Sequence, residues 1–174
     1  MKKCICAFVC LMACSLYLRA DEVVPSKLTE AGLKKHIHYL FMHIDFSNSE
    51  CLSFDVFDKA YRGYLNLLND SMLSESKNLL TICDLSISAN QNRMWVIDLN
   101  KKKCVLNTLV AHGQGSGKEY ATSFSNRNNT HKTSLGFYVT GDTYEGDHGI
   151  SLHLFGMDPY RLCQTHQMKD ILSC

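Results

Sequence analysis

Apolar spacing along the chain changes period near its middle. Thr29 stands where a side-chain oxygen can cap a helix, and Leu33, Ile37, Leu40 and Phe41 follow at helical intervals. From Ser53 a second run places Val56, Phe57, Ala60, Tyr61, Tyr64, Leu65 and Leu68 on a broad helical stripe that ends near Leu68. Gly63 lies inside that stripe at a cost of roughly 1 kcal/mol relative to Ala. It reads first as a tolerated weak point and second as the mark of a close contact.

Beyond these helices the pattern becomes that of strands. Residues 79–87 (LLTICDLSI), 93–99 (RMWVIDL) and 104–111 (CVLNTLVA) are β-prone, and polar turns at Asn90-Gln91-Asn92 and Asn100-Lys101-Lys102-Lys103 separate them. The Lys run is short enough to close an antiparallel hairpin and reads as a solvated turn. Residues 135–140 (LGFYVT) and 150–155 (ISLHLF) predict two further strands. The polar, Gly-rich stretch 113–134 is too long for a simple connection and is expected to line a site. Helices followed by strands, without βα alternation, predict a mainly β fold with N-terminal α-helices.

The chain has 174 residues, 45% of them apolar, which suits one modest domain. A formal charge of +1 gives no electrostatic case for nucleic acid. The start of the chain adds a compartment. Lys2 and Lys3 precede an apolar run from Cys4 to Ala13, too short to span a bilayer but suited to an export signal over residues 1–20. Leu11-Met12-Ala13-Cys14 resembles a bacterial lipobox, which implies cleavage before Cys14 and a lipid on its thiol, hence membrane attachment. A cut after Ala20 is the alternative, and a buried apolar N-terminal segment is the third. The expected location is the periplasm or cell envelope.

Five cysteines follow the signal, namely Cys51, Cys83, Cys104, Cys163 and Cys174, and none has the close spacing of a zinc or thioredoxin-type site. Cys83 and Cys104 read as buried small hydrophobes. Ala111 to Lys118 (AHGQGSGK) fails the phosphate-loop spacing, because Lys118 is followed by Glu119 rather than Ser or Thr. His112, His131, His148 and His153 show no local metal-ligand spacing, and His153 is expected to face solvent from a strand. No metal and no cofactor is expected. His112 reads as a hydrogen-bonding residue at a strand end beside the Gly-rich loop, or as a structural or exposed His.

The segments TICDLSISANQNRMWVIDL, NTLVAHGQGSGKEYATSFSNR and TSLGFYVTGDTYEGDHGISLHLFGMD, with the helix DVFDKAYRGYLNLLN, resemble the exported murein L,D-transpeptidase catalytic-domain family over about residues 54–158. The resemblance implies a mostly β cysteine-transpeptidase fold whose substrate is peptidoglycan. A Cys thiolate there attacks the bond after meso-diaminopimelate in a stem tetrapeptide and releases D-alanine. The candidates for lining the peptide groove are His112, Gly113, Ser116, Gly117, Tyr144 and His148.

Such chemistry needs a thiolate, a base or imidazolium beside it, and backbone N–H groups for the oxyanion. The resemblance places these in a His-Gly strand and a Ser-x-Gly-Cys loop after the last matching block, and this chain is expected to stop before both segments. Cys163, His166 and Cys174 lack the Gly-containing surroundings to replace them, so no catalytic residue is assigned. The expected organisation is a signal at 1–20, a helical part at 28–70, a partial transpeptidase-like β domain at 79–158 and a divergent tail at 159–174. Gln167 to Cys174, written in ordinary codons and read one phase over, gives Asn-Glu-Arg-Tyr-Ser-Ile-Met. The tail is therefore expected to be out-of-frame translation, with a short paralogue as the alternative. Loss of the nucleophile segment would leave an inactive transpeptidase-like protein with an open sheet edge and an uncovered apolar face. The rival expectation is a non-catalytic peptidoglycan-binding or envelope structural protein.

Overall fold

The computed structural model describes residues 28–74, 78–146, 149–157 and 171–173. Helix α1, Glu30–Met42, begins at Thr29, whose Oγ1 accepts from the Gly32 amide at 3.3 Å. Helix α2, Phe54–Asn69, begins after Ser53, whose side chain makes no capping bond. The two helices pack through apolar residues at the predicted spacing, with the Phe41 ring 5.3 Å from Phe57 and Phe57 stacked on Tyr61. Arg62 fastens their outer sides through Glu30 at 2.8 Å and Asp58 at 2.9 Å.

Strands β1 (Leu79–Asp84), β2 (Met94–Asp98) and β3 (Lys103–Thr108) form an antiparallel meander. Period-two alternation sends Leu80 and Ile82 of β1, and Trp95 and Ile97 of β2, to the face that meets the helices. Ile37, Leu40, Phe57, Ala60 and Leu65 complete that core from the helix side. Trp95 is fully buried, and its indole N–H donates to the Glu50 carbonyl at 3.0 Å. The Lys run is a turn as predicted: Lys102 takes φ +50°, and Lys101 meets Asp98 at 3.2 Å.

Strands β4 (Gly136–Gly146) and β5 (Gly149–Gly156) form a second antiparallel unit. Here β4 outruns the predicted 135–140. A register shift between Thr140 and Thr143 absorbs Gly141 and Asp142, and pairing resumes at Thr143 with Leu152. Strand β3 instead stops short of the predicted residue 111. Ile171–Ser173, within the tail expected to be divergent, forms strand β6, antiparallel to β1 and parallel to β4. The six-stranded order is β3-β2-β1-β6-β4-β5. The architecture is mainly β with N-terminal α-helices.

Gly63 is not a mere weak point. It faces the buried Phe137 ring of β4, and a Cβ there would overlap the ring itself. The close-contact reading is therefore the correct one. The apolar side chains of the outer strand β5 are left largely open, with Ile150 88% and Phe155 56% exposed. Among the described residues no helix is long and apolar enough to cross a membrane. The signal region and Cys14 lie outside the described residues.

Candidate functional site

The site grows from the end of β3. After Thr108 the chain leaves the sheet, and Val110 turns its carbonyl to Arg93, the residue just before β2. Arg93 belongs to the inward series Arg93, Trp95, Ile97 and is fully buried. An unpaired guanidinium in such a place would cost several kcal/mol, so its hydrogen bonds decide the local structure. Its Nε and Nη2 donate to Val110 O at 3.1 and 2.9 Å, and Nη1 donates to Ile87 O at 2.8 Å. Its Nη2 also lies 2.7 Å from Nδ1 of half-buried His112. Burial lowers the Arg93 pKa from its ordinary value, while Cys83 and Asp84 act electrostatically in the opposite direction. One buried cation thereby ties the loop after β1 to the chain leaving β3, and His112 sits at the junction.

From His112 the Gly-rich loop folds on itself around Ser116, which is buried. Ser116 Oγ accepts from the Thr133 amide at 2.7 Å, and Ser116 O accepts from the amides of Thr122 and Ser123 at 2.8 and 3.1 Å. Gly113 N donates to Thr133 Oγ1 at 2.7 Å, and Gly115 N donates to His131 O at 2.7 Å. Gly117 is required on two counts: its φ is +150°, and a Cβ would run into the Tyr120 carbonyl. These glycines bring backbone against backbone, and the loop is a closed platform. Ser88 Oγ binds Glu119 Oε1 at 2.6 Å and moors the platform to the β1–β2 connection.

Of the sequence candidates, the structure gathers His112, Gly113, Ser116 and Gly117 into this one unit. Tyr144 stands on the β4–β5 hairpin, stacked on His153 at 4.4 Å between ring centroids. His148 lies outside the described residues. His153 is exposed, as expected, and its Nδ1 lies 3.2 Å from Asp142 O. Among the described residues no group of His, Cys, Asp and Glu has the makings of a metal site. Cys83 and Cys104 are buried as expected, and Cys51 is exposed. The Cys104 thiol donates to Leu106 O at 3.3 Å, and that of Cys51 lies 3.8 Å from Leu52 O. A separate groove of about 560 Å³ runs along α1, lined by Lys34, His38, Tyr39, Met42 and Phe54. Sequence reasoning missed Arg93. Its signal was the two-residue step to Trp95 and Ile97, which places a cation on the buried face of a strand.

A family model described as the L,D-transpeptidase catalytic domain matches residues 48–165, a span holding Arg93, His112 and the whole platform. The chain belongs to that family. No curated protein and no solved structure matches it. The L,D-transpeptidase family acts on peptidoglycan, and the platform and His112 lie inside the matched span. The α1 groove is lined mainly by residues that precede the matched span.

Proposed function

We propose that this chain is an exported envelope protein that seats peptidoglycan stem peptides beside His112 and the Ser116 platform, and that the 174-residue chain does so without turnover. The observation that carries the reading is the buried Arg93 fork, which holds His112 at the root of a loop already closed by its own hydrogen bonds. A recognition group held in advance loses little freedom when a peptide arrives. Among the described residues the thiols support the absence of turnover, while Cys163, His166 and Cys174 lie outside those residues. A nucleophilic Cys needs a base and oxyanion donors, whereas Cys83 and Cys104 are buried and the Cys51 and Cys104 thiols lie against backbone carbonyls. Export is by cleavage before Cys14 with lipid attachment, or after Ala20.

The test combines three measurements on the protein from its own host. Intact mass should show loss of residues 1–13 with a lipid on Cys14, or loss of residues 1–20. The protein should sediment with purified peptidoglycan, release no D-alanine from stem tetrapeptides and form no carbapenem adduct. A stoichiometric adduct on one Cys, with D-alanine release abolished by its substitution to Ala, overturns the reading without turnover.

A further inference from the structure

The buried side of His112 fixes what its other side can do. Arg93 offers only N–H groups and stays charged even when burial lowers its pKa. With Arg93 Nη2 at 2.7 Å, His112 Nδ1 has to be the acceptor, which places the single ring proton on Nε2. The fork cannot swing aside for the other tautomer, because Ile87 O and Val110 O hold it at 2.8 and 2.9 Å. A second proton on the ring would set N–H against N–H. Nε2 has no hydrogen-bond partner among the described residues, and the ring is half-buried.

We infer that Arg93 is a positioning residue that makes the His112 Nε2–H a donor for an oxygen acceptor, the carboxylate or a peptide carbonyl of a bound stem peptide. The same tautomer excludes His112 as a base toward a thiol, since its only unprotonated nitrogen is occupied by Arg93. The ligand class rests on the stem-peptide reading above, whereas the tautomer rests on the Arg93 geometry alone.

The experiment uses the 174-residue protein labelled with ¹⁵N and long-range proton–nitrogen correlation of the His112 ring. Nδ1 should resonate as an unprotonated nitrogen, and a meso-diaminopimelate tetrapeptide should move Nε2 while leaving Nδ1 in that range. A C-terminally amidated tetrapeptide separates the two acceptors: weaker binding assigns the carboxylate, and equal binding assigns a carbonyl. His112→Ala should weaken tetrapeptide binding about tenfold, the scale of one hydrogen bond, while His112→Gln, which keeps an amide donor near the Nε2 position, should restore most of it. Arg93→Met should give a mixture of both tautomers; the wild-type spectrum and the two His112 variants carry the test if that protein does not fold. A protonated Nδ1 in the wild type overturns the inference. So does peptide binding that leaves Nε2 unmoved and is equally tight in His112→Ala, and this result spares the stem-peptide reading. An unprotonated Nδ1 with no peptide response in any signal overturns the stem-peptide reading and the assigned acceptor together.

Discussion

Gly63→Ala separates two kinds of reasoning because they predict opposite signs. By helix propensity alone, Ala in place of a Gly in the middle of α2 stabilises by about 0.8–1.0 kcal/mol. The structure predicts the reverse, since the new methyl would occupy the space of the buried Phe137 ring. Overpacking costs about 1–3 kcal/mol, and with the ring directly on the added carbon the upper part of that range applies. After subtracting the propensity gain, Gly63→Ala should lose about 1–2 kcal/mol, or about 2–8 °C in melting temperature for a chain of this size. Urea denaturation followed by Trp95 fluorescence measures the change as a shifted midpoint with an unchanged slope. Phe137→Ala alone should cost about 3–5 kcal/mol through the cavity it opens. In the Phe137→Ala background, Gly63→Ala should become neutral or stabilising, so the double-mutant cycle gives a coupling energy of about 1–3 kcal/mol. A rise in stability for Gly63→Ala in the wild-type background would refute the ring-on-glycine contact.

Two further changes address the platform and the surface. Ser116→Ala removes the acceptor of the Thr133 amide and should lower stability by about 1–3 kcal/mol in urea, while a loss under about 0.3 kcal/mol would show that the loop does not depend on it. Hydrogen bonds from Ser47, joined by the Lys103 charge, hold the Asp45 carboxyl below its ordinary 3.8, and hydrogen bonds from Lys101 do the same for Asp98. A depressed folded-state pKa means that the unfolded chain binds more protons below that ordinary value. The stability these groups contribute is present above 3.8 and fades as pH falls through the lower folded values. Urea midpoints from about pH 5 to about pH 2 should fall less steeply in Asp45→Asn/Asp98→Asn than in the wild type, and parallel curves would contradict the assignment.

Local rules made much of this fold legible. Thr29 and the Leu33–Phe41 spacing placed α1, and the apolar stripe placed α2 even though Ser53 makes no capping bond. The meander followed from β-prone runs parted by Asn and Lys turns. The sequence reading went astray where partners lie far apart in the chain. Gly141-Asp142 looked like the end of a strand, but β5 pairs across the irregularity and Phe155 covers Gly141. Leu109 and Val110 look as β-prone as their neighbours, but the Arg93 guanidinium takes the Val110 carbonyl out of the ladder. Gly63 could not disclose its ring, since Phe137 lies on another element. At the site, His112 and the glycines stood out by type and order, whereas the residue that fixes His112 was hidden in a strand that otherwise reads as apolar core.

The position of Ile171–Ser173 bears on how the sheet comes into being. The β1–β3 meander and the β4–β5 hairpin each draw on neighbours in the chain, and such hairpins close in about 1–10 μs. The pairs Ile82 with Ser173 and Gly136 with Leu172, which join the halves, require segments distant in sequence to meet, and closing the longer loop costs more entropy. Two quickly formed halves with a late seam follow from that order. Until the seam closes, one edge of β1 offers unpaired amides and carbonyls at Ile82, Cys83 and Asp84. During synthesis, that edge is open to pairing with strands of another nascent chain.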